Sequence, residues 1–240
     1  MSGPPTSMKL CGTHLHYRED LGRKSVQKYY NYMSNDGTFR IAEPINRVLL
    51  MSDLHTATPR IIEDLVHKGI ITGETVVLSC GDMAGNGKFG GDADPTEAYK
   101  VICANARAFY FVQGNHDLPN PEANALRNGD GTLCAVHGVC VDTIIGRIGG
   151  VNGVIGDPVR NERHDARTYN RMLKDVIAQR PDILLTHQPP NIGADRHEGY
   201  GPQNVPIHVC GHYAYEGDFM VRTEYGWILN CDSRILDITD

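Results

Sequence analysis

Eight polar residues of this chain stand where apolar runs stop. Asp53 and His55 follow the run 48–51, and Asp82 follows 75–80. Asn115, His116 and Asp117 follow 108–112, His187 follows 183–186, and His212 follows 205–210. Carboxylate, amide oxygen and imidazole in one set suit a hard-to-borderline divalent cation such as Mn²⁺, Fe or Zn²⁺, and argue against a thiolate-held metal. A carboxylate between two such groups can bridge ions about 3.5–4 Å apart, the spacing on which two-metal hydrolysis depends.

These side chains meet only if the runs that carry them lie side by side. Each run reads as a short buried strand, and helical patterns fall between them. Thr58-Pro59 offers an N-cap followed by Pro, and Ile61, Ile62, Leu65 and Val66 share one helical face. Asp94-Pro95 with Glu97 opens a second helix. Strands alternating with helices predict right-handed crossover units and an α/β layered fold, in which ligands gather at the carboxyl ends of the strands. In the second half, 139–145 reads as a strand, a glycine-rich stretch follows (Gly146, Gly149, Gly150, Gly153, Gly156), and 165–179 fits a helix. Residues 219–223, 227–230 and 234–238 read as closing antiparallel strands. Residues 1–46 form an N-terminal extension packed on the core, with a helix over 21–33.

At 240 residues and 40% hydrophobic composition, the chain is long and apolar enough for a sizeable core. Its formal charge of −6 and the lack of a dense Lys/Arg stripe argue against a partner gripped by its phosphate backbone, so duplex nucleic acid is not expected. No apolar run approaches the roughly 18 residues that span a bilayer, and MSGPPTSMKL has neither a basic n-region nor an apolar h-region. Seven cysteines without a C-x-x-C pair read as reduced thiols, most of them buried; the expected location is the cytoplasm.

The motifs D-x-H (Asp53 to His55), G-D (Gly81-Asp82), G-N-H-D (Gly114 to Asp117), T-H-x-P-P (Thr186 to Pro190) and G-H (Gly211-His212), in this order, resemble the calcineurin-like metallophosphoesterase superfamily over about residues 47–240. The stretches 182–190 and 208–212 are similar to the small class III phosphodiesterase-like and metallophosphoesterase-domain brain proteins. The resemblance implies a four-layer α/β/β/α sandwich with two divalent metal ions, Mn²⁺ first. Carried over by position, it implies that Asp53 and His55 hold the first ion, that Asp82 bridges, and that Asn115, His187 and His212 hold the second. It further implies that His116 contacts the scissile phosphate and protonates the leaving group, with Asp117 orienting it. The expected activity is hydrolysis of small phosphoesters, with nucleotides or cyclic nucleotides as the substrates to try first.

One departure stands out. The family's last motif runs G-H-x-H, and here it runs Gly211-His212-Tyr213-Ala214, without the second imidazole. Tyr213 and the small side chain at 214 leave room for a nucleotide base or ribose, which makes Tyr213 a candidate substrate contact beside Asn115 and His116. The same loss supports a competing reading, an impaired nucleotide-binding or protein-interaction module. His14 and His16 of the extension are read as bystanders. His67, His137, His164 and His208 are read as ordinary structural histidines, and Asp92-Ala93-Asp94 as a loop and helix cap.

Overall fold

A computed structural model describes the backbone of residues 16–18 and 26–33, and residues 44–85, 91–192, 199–215 and 219–239 in full. In chain order its strands are β1 (His16–Arg18), β2 (Val26–Met33), β3 (Arg47–Ser52), β4 (Thr75–Ser79), β5 (Ala108–Phe111), β6 (Cys140–Thr143), β7 (Gly146–Val151), β8 (Val154–Ile155), β9 (Arg163–His164), β10 (Ile183–Thr186), β11 (Ile207–Cys210), β12 (Met220–Arg222), β13 (Trp227–Asn230) and β14 (Arg234–Thr239). The helices are α1 (Thr58–His67), α2 (Thr96–Asn105), α3 (Pro121–Asn124) and α4 (Ala166–Ile177). One six-stranded sheet runs β1-β2-β14-β3-β4-β5 and the other β12-β13-β11-β10-β7-β6.

The four layers follow from side-chain alternation along continuous apolar strands. In β3, Val48 and Leu50 point to the second sheet and join Ile148, Ile183, Leu185 and Val209 in the central core. Leu49 and Met51 point the other way, onto Ile61 and Leu65 of α1 and Tyr99 and Ile102 of α2. On the far side α4 lays Tyr169, Leu173 and Val176 on Val151 and Leu184. The result is the expected α/β/β/α sandwich. Among the described residues no helix is long and apolar enough to cross a membrane.

Several elements differ from the expectation. Residues 26–33 are a strand rather than part of a helix, parallel to β14 from Lys28↔Arg234 to Met33↔Thr239; Val and three Tyr in V-Q-K-Y-Y-N-Y-M favour extended backbone. Residues 19–25, and with them the start of that expected helix, lie outside the described residues, as does His14. The strand expected over 139–145 stops at Thr143, and the glycine-rich stretch itself supplies β7. Its glycines answer to packing: a Cβ at Gly149 would run into Cys140 Sγ and Val176, and one at Gly150 into Val112 and the Leu185 carbonyl. The closing strands are not simply antiparallel. β13 pairs parallel with β11 and antiparallel with β12, while β14 crosses to the first sheet between β2 and β3. Thr58 is already helical rather than an N-cap, because a 3₁₀ turn at His55–Ala57 precedes it; Pro59 does sit in the first turn.

Between β10 and β11 lies a buried polar cluster. His208 Nε2 is 2.8 Å from Thr186 Oγ1, and the Tyr200 hydroxyl donates to the Gln188 carbonyl at 2.6 Å. Burial pushes the His208 pKa down to about 3, from an ordinary value of 6.5. The unfolded chain therefore takes up this proton near pH 6.5 and the folded chain only near pH 3. The stability carried by the neutral ring is complete above that window and is lost as pH falls through it, by about 1.4 kcal/mol per unit. In urea unfolding between pH 6.5 and 4, His208→Gln is expected to show a shallower pH dependence than the parent chain; equal slopes would mean that another group governs acid unfolding.

Candidate metal centre

The carboxyl ends of β3, β4, β5, β10 and β11 converge, and each ends in a motif that turns sharply. Among the described residues seven non-glycine positions have positive φ, and four of them are Asp53 (+58°), His55 (+50°), Asp82 (+52°) and His212 (+69°). Left-handed backbone costs a non-glycine residue free energy, and its concentration here marks a rim built for placement of side chains. The glycines before the polar residues have a packing reason as well. Gly81 and Gly114 lie back to back: a Cβ on Gly81 would strike the Gly114 backbone, and one on Gly114 would strike the Asp82 carboxylate.

Asp82, 1% exposed, is the common member of two groups. Ligand atoms of Asp53, His55 and Asp82 lie within 4.8 Å of one another, as do those of Asp82, His187 and His212. Asp82 Oδ2 is 3.3 Å from His187 Nε2 and 4.0 Å from His55 Nε2. Asp82 Oδ1 accepts the His116 backbone N–H at 2.8 Å. Asp53 is aimed by the Ser52 hydroxyl at 2.7 Å and the His212 backbone N–H at 2.8 Å, both on Oδ2. His187 Nδ1 donates to the Cys80 carbonyl at 2.7 Å, which fixes the tautomer and turns Nε2 toward Asp82. The His187 and His212 rings are 5.0 Å apart, and the Tyr213 ring lies edge-on to His212 at 5.6 Å.

The electrostatics match a cluster assembled for cations. Burial raises the Asp53 pKa to about 6, with His187 and His55 opposing and Asp232 and Asp82 adding to the rise. Burial pushes Asp82 the same way, but the His187, His55 and His116 imidazoles outweigh it and hold this carboxyl below the usual range. Burial would lower His187; the Asp82 and Asp53 carboxylates instead raise it to about 10. A proton on His187 thus stands where a divalent ion would give the same compensation. The remaining test of fit is Asn115: it is buried, and neither its amide oxygen nor its amide nitrogen has a hydrogen-bond partner. His55 Nδ1 is likewise buried without one. Buried polar atoms without partners are costly, and a metal ion on the Asn115 oxygen would offset the part of that cost carried by the oxygen. The residues present fit a pair of divalent ions sharing Asp82.

Two placements differ from the reading of the sequence. Asp117 does not touch the His116 ring: its Oδ2 accepts the backbone N–H groups of Asp82 (2.8 Å) and Gly114 (2.9 Å), and its Oδ1 that of Ala84 (3.0 Å). Burial, reinforced by Asp82, raises its pKa to about 7. It clamps two motif loops together. The partner of His116 is Asp92, whose Oδ1 lies 3.0 Å from Nδ1. Asp94 sits just ahead of α2, where its Oδ1 accepts the Thr96 N–H at 2.9 Å, while Pro95 takes the cap position. Asp92 could not be assigned from spacing because it reaches His116 across a loop. Asp232, whose charge reaches Asp53, was also missed. Ala214 is exposed.

Substituting Asp82 by Asn removes the one negative charge common to both groups. Asp82→Asn is expected to lose both ions in elemental analysis while circular dichroism shows the fold retained; full metal stoichiometry in the variant would overturn the shared-carboxylate arrangement.

The calcineurin-like phosphoesterase family profile matches residues 46–216. No curated protein matches the chain significantly. Among solved structures, TT1561 of Thermus thermophilus superposes with a TM-score of 0.57 at 17% identity, covering 79% of this chain and 90% of that one. A hypothetical protein from Thermus thermophilus gives a TM-score of 0.43 at 16% identity, covering 78% of this chain and 75% of that one. The first of these shows the same fold, and the family match, which takes in the ends of all five converging strands, shows that the chain belongs to the calcineurin-like phosphoesterases.

Proposed function

We propose that the chain is a metal-dependent phosphodiesterase acting on nucleotides or cyclic nucleotides, with Mn²⁺ as its ion and Fe or Zn²⁺ as alternatives. The observation that carries this reading is the pair of ligand groups meeting at Asp82, with the His116 ring 5.6 Å from that of His55 at the same rim. Asp53, His55 and Asp82 would hold one ion, and Asp82, Asn115, His187 and His212 the other. Two such ions lower the pKa of water toward neutrality and neutralise charge on the phosphoryl oxygens.

The chain's own part is orientation and proton supply. His116 is fixed twice, by its backbone N–H on Asp82 and by Asp92 on Nδ1. Nε2 is the ring atom left to deliver a proton to the departing alkoxide, a transfer imidazoles perform near neutral pH. Asp117 holds the loop that presents Asn115 and His116, and Tyr213 beside His212 offers an aromatic surface to a base or ribose. The likeness of residues 182–190 and 208–212 to class III phosphodiesterase-like proteins supports the nucleotide preference. A small substrate, rather than duplex nucleic acid, suits the acidic charge, and buried thiols at Cys80, Cys134, Cys210 and Cys231 suit a cytoplasmic location. The impaired-module reading is favoured only by Ala214.

A panel of phosphomonoesters, linear diesters and cyclic nucleotides under Mn²⁺ tests the reading, which fails if none is turned over. The acid role is tested separately. His116→Ala is expected to slow an alkyl phosphodiester about 10²–10⁴-fold and a p-nitrophenyl ester far less, because only the alkoxide needs a proton. Equal losses on both would make His116 a phosphate-binding group instead.

A further inference from the structure

The segment from Asn152 to His164 leaves β7, forms β8 and β9, and lies across the rim. It is fastened there at several points. The Gly153 N–H donates to the Gln113 carbonyl at 2.8 Å, and the Ile155 N–H to Gln188 Oε1 at 3.2 Å. Asn161 Nδ2 donates to the main-chain oxygens of Asn115 (3.1 Å) and Asp117 (3.0 Å), the two residues flanking His116.

This segment carries two arginines, Arg160 at its exposed turn and Arg163 in β9. Arg163 is half-buried, its side chain folded over Gly156, where an added Cβ would stand 3.4 Å from Cδ and 3.5 Å from Nη1. The other half-buried Arg and Lys residues described all have partners. Arg47 pairs with Asp237, Lys100 with Glu97 and Glu122, and Arg147 with Asp142, while Arg234 bonds the Asp232 carbonyl. Among the described residues neither Arg160 nor Arg163 has an ion pair or a side-chain hydrogen bond. Burial and Arg160 disfavour the charge on Arg163, and Asp82, Asp92 and Asp157 favour it. The carboxylate common to both ligand groups and the one that holds His116 therefore both act on this guanidinium.

A half-buried guanidinium without a counter-charge in contact is costly, and a planar fork of N–H donors is matched to phosphate oxygens. The ester under attack already faces the ligand groups at Asp82. Arg163 lies two residues beyond Asn161, whose amide binds the main chain on either side of His116, the group that would meet the leaving oxygen.

We propose that Arg163, assisted by Arg160, binds a second phosphate carried by the leaving group, so that the preferred substrate is a phosphoester whose departing alcohol is itself phosphorylated. The assignment rests on the hydrolytic reading above. It adds a substrate class that none of the motif residues specifies.

Two substrates differing by one phosphate test it: adenosine 3′,5′-bisphosphate and adenosine 3′-monophosphate, with release of the 3′-phosphate followed under Mn²⁺. The parent chain is expected to favour the bisphosphate. Arg163→Gln is expected to cut that preference in kcat/KM by about 10- to 100-fold, the worth of a charge-assisted hydrogen bond, with Arg163→Lys recovering part of it. Binding of adenosine 5′-monophosphate, the phosphorylated product, is expected to weaken by a similar factor in Arg163→Gln when measured by calorimetry. Equal losses on both substrates would show that Arg163 grips the ester under attack and would overturn the proposal, as would an unchanged preference. If the parent chain hydrolyses neither monoester yet binds adenosine 5′-monophosphate through Arg163, the subsite stands and 3′-monoester hydrolysis fails, while the diesters of the panel above decide the hydrolytic reading; if it neither hydrolyses them nor binds the product through Arg163, the proposal is overturned.

Discussion

Asp82 is a carboxylate withdrawn almost wholly from water at the end of a strand buried on both faces. A charge so placed must be offset, and the arrangement around it follows from that requirement. His187 reaches it from β10, His55 from the turn after β3, and the His116 backbone N–H from the loop after β5. These groups come from three crossover units and two sheets. The sandwich cannot bring its sheets together at this end without bringing imidazoles onto Asp82. In the absence of divalent ions, a proton on His187 carries the compensation; with ions bound, that proton must leave, so metal affinity and pH are coupled at this residue.

The same constraint explains why Asp117 is a clamp. The loops bearing Asp82 and His116 approach so closely that only glycine fits at 81 and 114, and their backbone N–H groups point into the gap. Buried N–H groups need acceptors, and Asp117 supplies one carboxylate for three of them. A carboxylate raised to about pH 7 by its surroundings is tolerable there because those donors hold it. Orientation of the His116 ring is left to a residue from elsewhere, and Asp92 takes it.

The strand ends were legible in the sequence because each belongs to a local pattern: an apolar run, a sharp turn, a polar residue. Runs 48–51, 75–80 and 183–186 became β3, β4 and β10, and their terminal residues met as expected. What was not legible depends on contacts far apart in the chain. Asp92 meets His116 across 24 residues, and Asn161 meets the Asn115 carbonyl across 46. Gly146 to Gly150 carried no strand signal because glycine disfavours strands in isolation, yet α4 and Val112 press so closely on β7 that side chains there would not fit. Over 26–33 the expected helix gives way to β2, where pairing with β14 outweighs a weak helical pattern. The direction of β13 is likewise set by its neighbour β11, which no local pattern reveals.

The missing imidazole at Ala214 can be weighed in the same terms. If the segment after β11 served the first ligand group only through that side chain, its loss would disconnect the two. It does not: the His212 backbone N–H donates to Asp53 Oδ2, the oxygen that also takes the Ser52 hydroxyl, and leaves Oδ1 facing His55. The main chain of the segment therefore still aims a ligand of the first group while its one imidazole serves the second. Asn230 Nδ2 holds the Tyr213 carbonyl at 2.8 Å, so the turn keeps its shape without the second histidine. What the substitution removes is a donor, and the geometry of Asp53, His55 and Asp82 does not depend on it.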